Sequence, residues 1–152
     1  MTRVSAVILY NENGEILICQ RGAGGCCEYL WEFPGGKEEP KETAAECAVR
    51  ECREELNIEV GALDTVGTSF YSYPDRDISF TFFKGKILSG EPTQTVHKSI
   101  RWVTPQNLSE YAFCPADTWV RMKSGKDGVS HFCHIELLSI RRQQTIPSNS
   151  CR

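Results

Sequence analysis

The chain has 152 residues, of which 40% are hydrophobic and 24% charged, a composition that is ordinary for one globular domain. Its formal net charge is −3, so it lacks the basic excess that non-specific binding to nucleic acid requires. Polymeric DNA and RNA are therefore not expected as partners. The sequence contains no run of about 18 apolar residues, the length that would span a bilayer, so no membrane association is expected either.

The first residues, MTRVSAVILYNENGE, run directly into a strand-like pattern without a cleavable signal segment, which predicts a cytoplasmic protein. Three of the eight cysteines, Cys19, Cys47 and Cys52, fall on apolar-periodic positions, where a free thiol behaves as a small hydrophobe. Reduced thiols are expected rather than disulfides. The Cys26-Cys27 pair and the HFCH run at 131–134 lack the paired spacing of zinc ligands, so no structural zinc is predicted.

Two strands are predicted near the N-terminus, at 3–10 and 15–20, where β-branched and aliphatic side chains dominate. Asn13-Gly14 between them is a strong turn signal and predicts that the two strands form a hairpin. A loop at 22–27 follows, and then the segment LWEFPGG, in which two consecutive glycines interrupt any strand.

A helix is predicted over 40–56, because apolar residues recur there at three- and four-residue spacing and form one face. Asn57 is expected to end it, since asparagine tolerates the left-handed conformation found at helix ends. The apolar positions of this face are Ala45, Ala48, Val49, Cys52 and Leu56.

The second half predicts an antiparallel pair of strands, then short elements, then a polar tail. The strands 60–73 and 78–88 flank Pro74-Asp75-Arg76-Asp77, which is a turn sequence. A short strand at 99–103 and two short helices at 105–110 and 115–122 come next. The tail at 124–152 is expected to be partly disordered or peripheral.

Acidic residues are concentrated in one stretch: ten glutamates lie between residues 28 and 59, half of all Asp and Glu in the chain. On a helix, Glu51, Glu54 and Glu55 share one face. Three crowded carboxylates repel one another. A solvated acidic surface is the ordinary explanation of such a triplet, and a site for Mg²⁺, which prefers oxygen ligands, is the functional one.

The order of the whole run GKEEPKETAAECAVRECREELNI resembles the Nudix signature. Gly36 is followed after five residues by Glu42, and after seven more by Arg50-Glu51; an apolar Cys52, any residue, Glu54-Glu55, any residue, a usual glycine and an apolar Ile58 complete it. The one departure is Asn57, which stands at the usual glycine. The segments WEFPGGK, YPDRD and FCPAD also look like parts of the MutT-like nucleotide-pool enzymes, and the resemblance covers about 2–123.

The resemblance implies an α/β fold, an α/β/α sandwich around a central mixed β-sheet, with a Nudix hydrolase domain at 1–123. It implies that Gly36, through its carbonyl, and Glu51, Glu54 and Glu55 bind a catalytic Mg²⁺, for which Mn²⁺ could substitute. Glu51 is the candidate general base and Glu54 the runner-up. The reaction would be attack of water within a triphosphate, releasing the nucleoside monophosphate and pyrophosphate.

Substrate-binding candidates lie outside the signature. Arg21 and Lys37 are candidates for holding phosphates, with ordinary surface charge as the alternative. Phe33, Arg76 and Asp117 match the base-binding positions of MutT-like enzymes; Phe33 could equally be a core residue, and Arg76 a solvated turn charge. An ionised Asp117 only accepts hydrogen bonds, so it must meet donors on the base or be protonated itself.

A glutamate that relatives often carry ahead of the late strand is absent, because Val96 stands there. His97 could substitute for it, although a lone loop histidine is more often simply solvated.

The first functional hypothesis is removal of oxidised or modified nucleoside triphosphates, such as 8-oxo-dGTP or modified CTP. The second is hydrolysis of ADP-ribose or a dinucleoside polyphosphate, and the third is a Nudix-like module that senses a nucleotide without cleaving it. In each case the partner is a small nucleotide, and the protein is expected to be a monomer or a homodimer.

Overall fold

The structure is a computed structural model that describes residues 1–25 and 27–117 together with the backbone of 120–123 and 134–137. Its one α-helix in this part of the chain is α1 (Ala44–Leu56), and 3₁₀ helices span Pro105–Glu110 and Pro115–Asp117. The strands are β1 (Thr2–Leu9), β2 (Ile16–Gln20), β3 (Trp31–Glu32), β4 (Gly35–Lys37), β5 (Glu59–Tyr73), β6 (Arg76–Ser89), β7 (Ser99–Val103), β8 (Val120–Lys123) and β9 (His134–Leu137).

The strands form a mixed sheet and two antiparallel ones. The mixed sheet has the order β4-β1-β6-β5, in which β1 runs parallel to β6 and the other neighbours are antiparallel. The second sheet has the order β3-β2-β7, and the third consists of β8 and β9. The parallel pairing of β1 with β6 accounts for the long connection that contains α1, since parallel neighbours require a crossover.

Alternate side chains of β1 and β2 enter two different cores. Because both faces of these strands are covered, they are almost continuously apolar. The core beneath α1 contains Val7, Leu9, Leu17, Cys19, Ala48, Cys52, Leu56, Ile58, Val60 and Phe83. The opposite core contains Ala6, Ile8, Ile16, Ile18, Trp31, Phe33, Phe82 and Val103, with Leu108, Tyr111 and Phe113 packed against it.

Helix α1 begins and ends at specific capping residues. The Thr43 hydroxyl accepts a hydrogen bond from the Glu46 N–H, and the Glu46 carboxylate accepts one from the Thr43 N–H. This capping box satisfies two free helix donors and starts the helix at Ala44, later than the predicted Pro40. Asn57 adopts φ 56° and ψ 42°, as predicted for the residue that ends the helix.

The predicted hairpin between the first two strands is wrong. The turn itself forms, with Gly14 at φ 72°, but the strands lie in different sheets and meet only at the Tyr10–Ile16 bridge. Instead, β1 pairs with β4 at Val4, Ser5 and Ala6 and with β6 along its whole length.

Most later predictions are confirmed. The strand pair β5–β6, the strand β7 and a short helix at Pro105–Glu110 are all present. The helix predicted over 115–122 is wrong, because Pro115–Asp117 forms a single 3₁₀ turn and Val120–Lys123 is a strand. The backbone of this strand pairs with His134–Leu137, so tertiary pairing overrides the local helical pattern.

The α/β fold class is confirmed by the mixed sheet with a helix packed against it. Within the described residues no helix is long and apolar enough to cross a membrane. The cysteines expected to be free are buried and unbridged: Cys19, Cys47 and Cys52. Cys26 and 131–133, which belong to the two clusters considered for zinc, lie outside the described residues.

Candidate active site

Arg50 is the centre of the charged face of α1. Its guanidinium donates hydrogen bonds to Glu42 at 2.8 and 3.0 Å, to Glu51 at 2.9 Å and to Glu54 at 3.2 Å, and a further one to the Lys37 carbonyl oxygen at 3.0 Å. The Arg50 hydrogen bonds are the main reason that the pKa of Glu42 falls to about 2. Arg50 therefore joins the helix to the strand before it and holds the acidic side chains in fixed positions.

Two glutamates, Glu46 and Glu54, lie one helical turn from Arg50, which pairs with Glu54. The alternative contact with Glu46 is not the one formed, because the Glu46 carboxylate caps the start of the helix instead. Glu42, which lies outside the helix, takes the bidentate position on the guanidinium.

Glu51 lies directly against Gly36. A Cβ atom placed on Gly36 would overlap the Glu51 carboxylate, so only glycine leaves room for the acid in this position. The Gly36 carbonyl oxygen, a predicted cation ligand, accepts a weak hydrogen bond from the Cys47 thiol at 3.4 Å. The strand β4 and the acidic helix are therefore closely packed at Gly36.

Glu55 contacts the neighbouring residue of the same strand segment, Gly35. Its carboxylate accepts a hydrogen bond from the Gly35 N–H at 3.3 Å. Burial is the main reason that the pKa of Glu55 is raised to about 7; nearby Glu32 and Glu51 also raise it, whereas His97 and the Gly35 N–H lower it. The carboxyl is therefore held in an environment that disfavours its negative charge.

The chemistry of this donor set fits a hard divalent cation. Within the described residues, no three Asp, Glu, His or Cys side chains form a ready-made metal cage. Mg²⁺ needs no such cage, because it keeps several waters and binds substrate phosphates alongside one or two carboxylates. The Glu51 and Glu55 carboxylates both contact the Gly35-Gly36 segment, and a cation there would offset the repulsion that disfavours ionised Glu55.

The two phosphate-binding candidates occupy different surroundings. Arg21 donates a hydrogen bond to Glu32 at 3.0 Å, which fixes its guanidinium at the end of β2. The Lys37 side chain is exposed, and its carbonyl oxygen is the group that accepts from Arg50. Their contact with phosphate stays a prediction.

Phe33 and Asp117, two of the base-binding candidates, are adjacent. The Phe33 N–H donates to the Asp117 carboxyl at 3.4 Å, and both residues are buried. The Phe33 ring packs against Phe113 and Phe82, with centroids 5.3 and 6.4 Å away. Burial raises the pKa of Asp117 well above its ordinary value, and Glu32 adds to the shift. A protonated Asp117 carboxyl can both donate and accept a hydrogen bond.

Arg76, the remaining base-binding candidate, begins β6 at the turn between β5 and β6. Its guanidinium lies 5.5 Å from the centroid of the Tyr73 ring and 3.8 Å from the Asp75 carboxylate. The side chain is 45% exposed, so it is accessible from solvent. Its role in binding a base stays a prediction.

A profile of the NUDIX domain matches residues 1–121. The chain belongs to the NUDIX family. The predicted resemblance is thereby confirmed. The protein is 34% identical over 117 residues to the CTP pyrophosphohydrolase of Escherichia coli strain K12, covering 77% of this chain and 86% of that one. It is 33% identical over 115 residues to the 8-oxo-dGTP diphosphatase of the same strain, covering 76% and 89%.

Solved structures agree with this family assignment. The solution structure of the E. coli ORF135 protein superposes with a TM-score of 0.66 at 33% identity, covering 76% of this chain and 82% of that one. NUDIX hydrolases generally use a divalent cation, which is consistent with the oxygen-rich donor set around Gly35-Gly36.

Glu32 of this NUDIX chain is a further charged residue near the predicted site and is not among the residues predicted from sequence. Its carboxylate binds Arg21 and lies 3.2 Å from His97 Nε2 and 4.0 Å from the Cys114 sulfur. The one available signal was a charged residue between two aromatic ones in WEFPGGK, since a single acid in a strand with apolar neighbours requires a specific partner. The partners themselves are far away in sequence and could not be identified from it.

Proposed function

We propose that this NUDIX protein is a Mg²⁺-dependent nucleoside triphosphate pyrophosphohydrolase that acts on oxidised or modified nucleotides. Its products would be the nucleoside monophosphate and pyrophosphate. The observation that carries the proposal is the placement of Glu51 and Glu55 on the Gly35-Gly36 segment, where carboxylates and backbone together can hold a cation on a polyphosphate. The names of the two E. coli relatives, a CTP pyrophosphohydrolase and an 8-oxo-dGTP diphosphatase, support this substrate class.

The protein groups have separate tasks in this proposal. Mg²⁺ supplies charge neutralisation on the phosphate oxygens and acidifies water when it is bound. Gly36, Glu51, Glu54 and Glu55 hold the cation. Glu51 is the proposed base that accepts the proton of the attacking water, with Glu54 as the alternative. Arg50 keeps both carboxylates oriented before substrate arrives, which reduces the reorganisation required during the reaction.

Binding of the rest of the nucleotide is assigned to the second half of the site. Arg21 and Lys37 would contact phosphates. Asp117 would read the base, because burial favours its protonated form, which presents a donor and an acceptor on one side chain. Phe33 positions Asp117 through its N–H and lines the same region, and Arg76 would approach from the β5–β6 turn.

The decisive experiment measures products from a panel of nucleotides in the presence of Mg²⁺. The panel contains 8-oxo-dGTP, 5-methyl-dCTP, 5-hydroxy-CTP, the ordinary triphosphates, ADP-ribose and a dinucleoside polyphosphate. Pyrophosphate release from a modified triphosphate, far above the ordinary ones, would support the proposal. Turnover of ADP-ribose or a dinucleoside polyphosphate alone would overturn the substrate assignment, and tight binding without cleavage would indicate a nucleotide sensor.

A further inference from the structure

His97 is a buried histidine with a single hydrogen-bonded nitrogen. It is 8% exposed, and its Nε2 lies 3.2 Å from an oxygen of Glu32. Its Nδ1 is buried without a hydrogen-bond partner among the described residues. Among the described residues, the imidazole therefore forms its side-chain hydrogen bond through Nε2.

The polarity of this side chain requires an explanation, because an apolar residue would fill a buried space without leaving a nitrogen unpaired. The Glu32 carboxylate accepts hydrogen bonds and, when ionised, cannot donate them. Nε2 must therefore carry the proton, and the unpaired Nδ1 is best accommodated as a lone pair. What an imidazole provides here, and an apolar residue would not, is one hydrogen-bond donor to Glu32.

Glu32 connects this donor to a predicted phosphate-binding residue. One carboxylate oxygen lies near His97 and the other accepts from Arg21 at 3.0 Å. The backbone reinforces this arrangement, since the Lys98 N–H donates to the Gln20 carbonyl oxygen at 2.9 Å. Arg21 follows Gln20 and His97 precedes Lys98, so both are chain neighbours of this hydrogen-bonded pair, and Glu32 bridges their side chains.

The loop that carries His97 is also attached to the acidic helix. The Thr95 hydroxyl donates to the carbonyl oxygen of Glu55, and the Thr93 N–H and hydroxyl donate to that of Leu56 at 2.9 and 3.0 Å. These hydrogen bonds therefore fix the position of the His97 loop relative to both the predicted cation ligands and Arg21. Rigid placement of a binding group by neighbouring hydrogen bonds is what a precise site requires.

We propose that His97 is a positioning residue, which holds Glu32 through Nε2–H so that Glu32 orients the Arg21 guanidinium towards the substrate phosphates. The proposal rests on the proposed function for its substrate. It differs from the role considered in the sequence analysis, in which His97 replaces a missing acid at the cation. Here His97 acts on the phosphate-binding arginine and touches neither the cation nor the nucleotide.

Two substitutions distinguish the contributions of the two ring nitrogens of His97. In His97→Gln the amide nitrogen can occupy the position of Nε2 and still donate to Glu32. In His97→Asn it can reach only the position of Nδ1. We expect His97→Asn to raise KM for the triphosphate about tenfold with kcat changed less than about threefold, and His97→Gln to stay within about threefold of wild type in both. Lys98→Ala, which removes an exposed neighbouring cation, is the control and should change neither constant.

A double-mutant cycle tests whether the effect passes through the arginine. If His97 acts by orienting Arg21, then Arg21→Ala with His97→Asn should bind no more weakly than Arg21→Ala alone. Binding is measured with Mg²⁺ and the α,β-imido analogue of dGTP, which needs no turnover. Additive losses, or equal losses in His97→Asn and His97→Gln, would overturn the proposal.

A measurement on the unmodified protein covers the case in which His97→Asn fails to fold. Nitrogen-15 NMR of labelled histidine reports which ring nitrogen is protonated. A protonated Nε2 with a slowly exchanging proton supports the proposal, and an unprotonated Nε2 rules it out. Failure of the proposed function looks different: the wild-type protein would cleave no triphosphate in the panel, while the protonation state of His97 could still be read.

Discussion

The surroundings of Glu42, beside the acidic helix, and of Asp117, next to Phe33, have opposite effects on the charge of a carboxyl group. On the helix side, Arg50 hydrogen bonds lower the pKa of Glu42 to about 2. At Asp117, burial raises the pKa well above the ordinary value, and nearby Glu32 adds to the shift. Pairing with Arg50 favours the ionised form of Glu42, whereas burial favours the neutral form of Asp117.

The difference matches the two tasks that binding a nucleotide imposes. A cation and a polyphosphate are charged, so the residues that meet them must hold charge in fixed positions. A base is neutral and is distinguished by donors and acceptors, so the group that reads it gains from presenting both. Glu55 lies between the two regions, with a pKa of about 7 that a bound cation would lower.

The largest effect is expected from removing charge on the helix side. Glu54→Gln should reduce kcat by about a thousandfold, because the neutral amide binds a divalent cation weakly. The measurement is pyrophosphate release from the best triphosphate of the panel at saturating Mg²⁺. Glu59→Gln is the matched control: it also removes a carboxylate held by an arginine, Arg53, but away from the acidic face. Unchanged activity in Glu54→Gln would show that the site lies elsewhere.

Alanine substitutions at two adjacent glycines should have different effects, one mainly on the geometry of the site and the other mainly on the stability of the fold. In Gly36→Ala the new methyl group meets the Glu51 carboxylate, the end of a flexible side chain that can move aside. Activity should fall about a hundredfold because the carboxylate is displaced, with little change in Tm. In Gly35→Ala the methyl group meets the backbone of Ser5 and Ala6, which cannot give way without disturbing β1. That variant should lose stability first, as seen in its thermal unfolding.

Substitutions at Asp117 test the base-reading side. Asp117→Asn keeps a donor and an acceptor, so kcat/KM for the preferred triphosphate should stay within about threefold of wild type. Asp117→Leu has neither and should reduce the preference for the modified over the ordinary base by about tenfold to a hundredfold. The ratio of kcat/KM values for the two nucleotides is the readout. A loss in Asp117→Asn as large as that in Asp117→Leu would mean that an ionised Asp117 binds the base.

The smallest effect is a pH dependence of stability. The folded protein binds the Asp117 proton more tightly than the unfolded chain, whose pKa lies near the ordinary 3.8. The stabilisation from this proton is complete below that value and is lost as pH rises through the raised folded pKa. The free energy of unfolding of wild type should therefore decline relative to Asp117→Asn over this window. Parallel curves for the two proteins would contradict the assignment.

The helix that carries the proposed cation ligands could be predicted from sequence because its residues are close along the chain. The three-residue spacing of Glu51 and Glu54 defines a helix face, and Asn57 ends that helix as expected. The base-reading side depends on contacts between distant residues. Phe33 and Asp117 are 84 positions apart in the sequence, and Glu32 and His97 are 65 apart. No local sequence pattern indicates that these residues are in contact.

The same distinction explains the errors in the predicted fold. Asn13-Gly14 correctly indicated a turn, but the partner of β1 is β6, far along the chain. Likewise, the strand β8 is decided by pairing with β9 rather than by the residues around Pro115. Local signals predicted where the chain bends, and long-range pairing determined which strands became neighbours.

The alternation of side chains along β1 determines which of the two cores a truncation in this strand would disturb. Neighbouring residues of this strand serve opposite halves of the molecule, since Leu9 packs beneath α1 and Ile8 packs with the aromatic residues around Phe33. A void at Leu9 would loosen the packing beneath α1, which carries the proposed cation ligands. A void at Ile8 would loosen the packing around Phe33, on the proposed base-binding side. Two truncations one position apart could thus impair different steps of the same reaction.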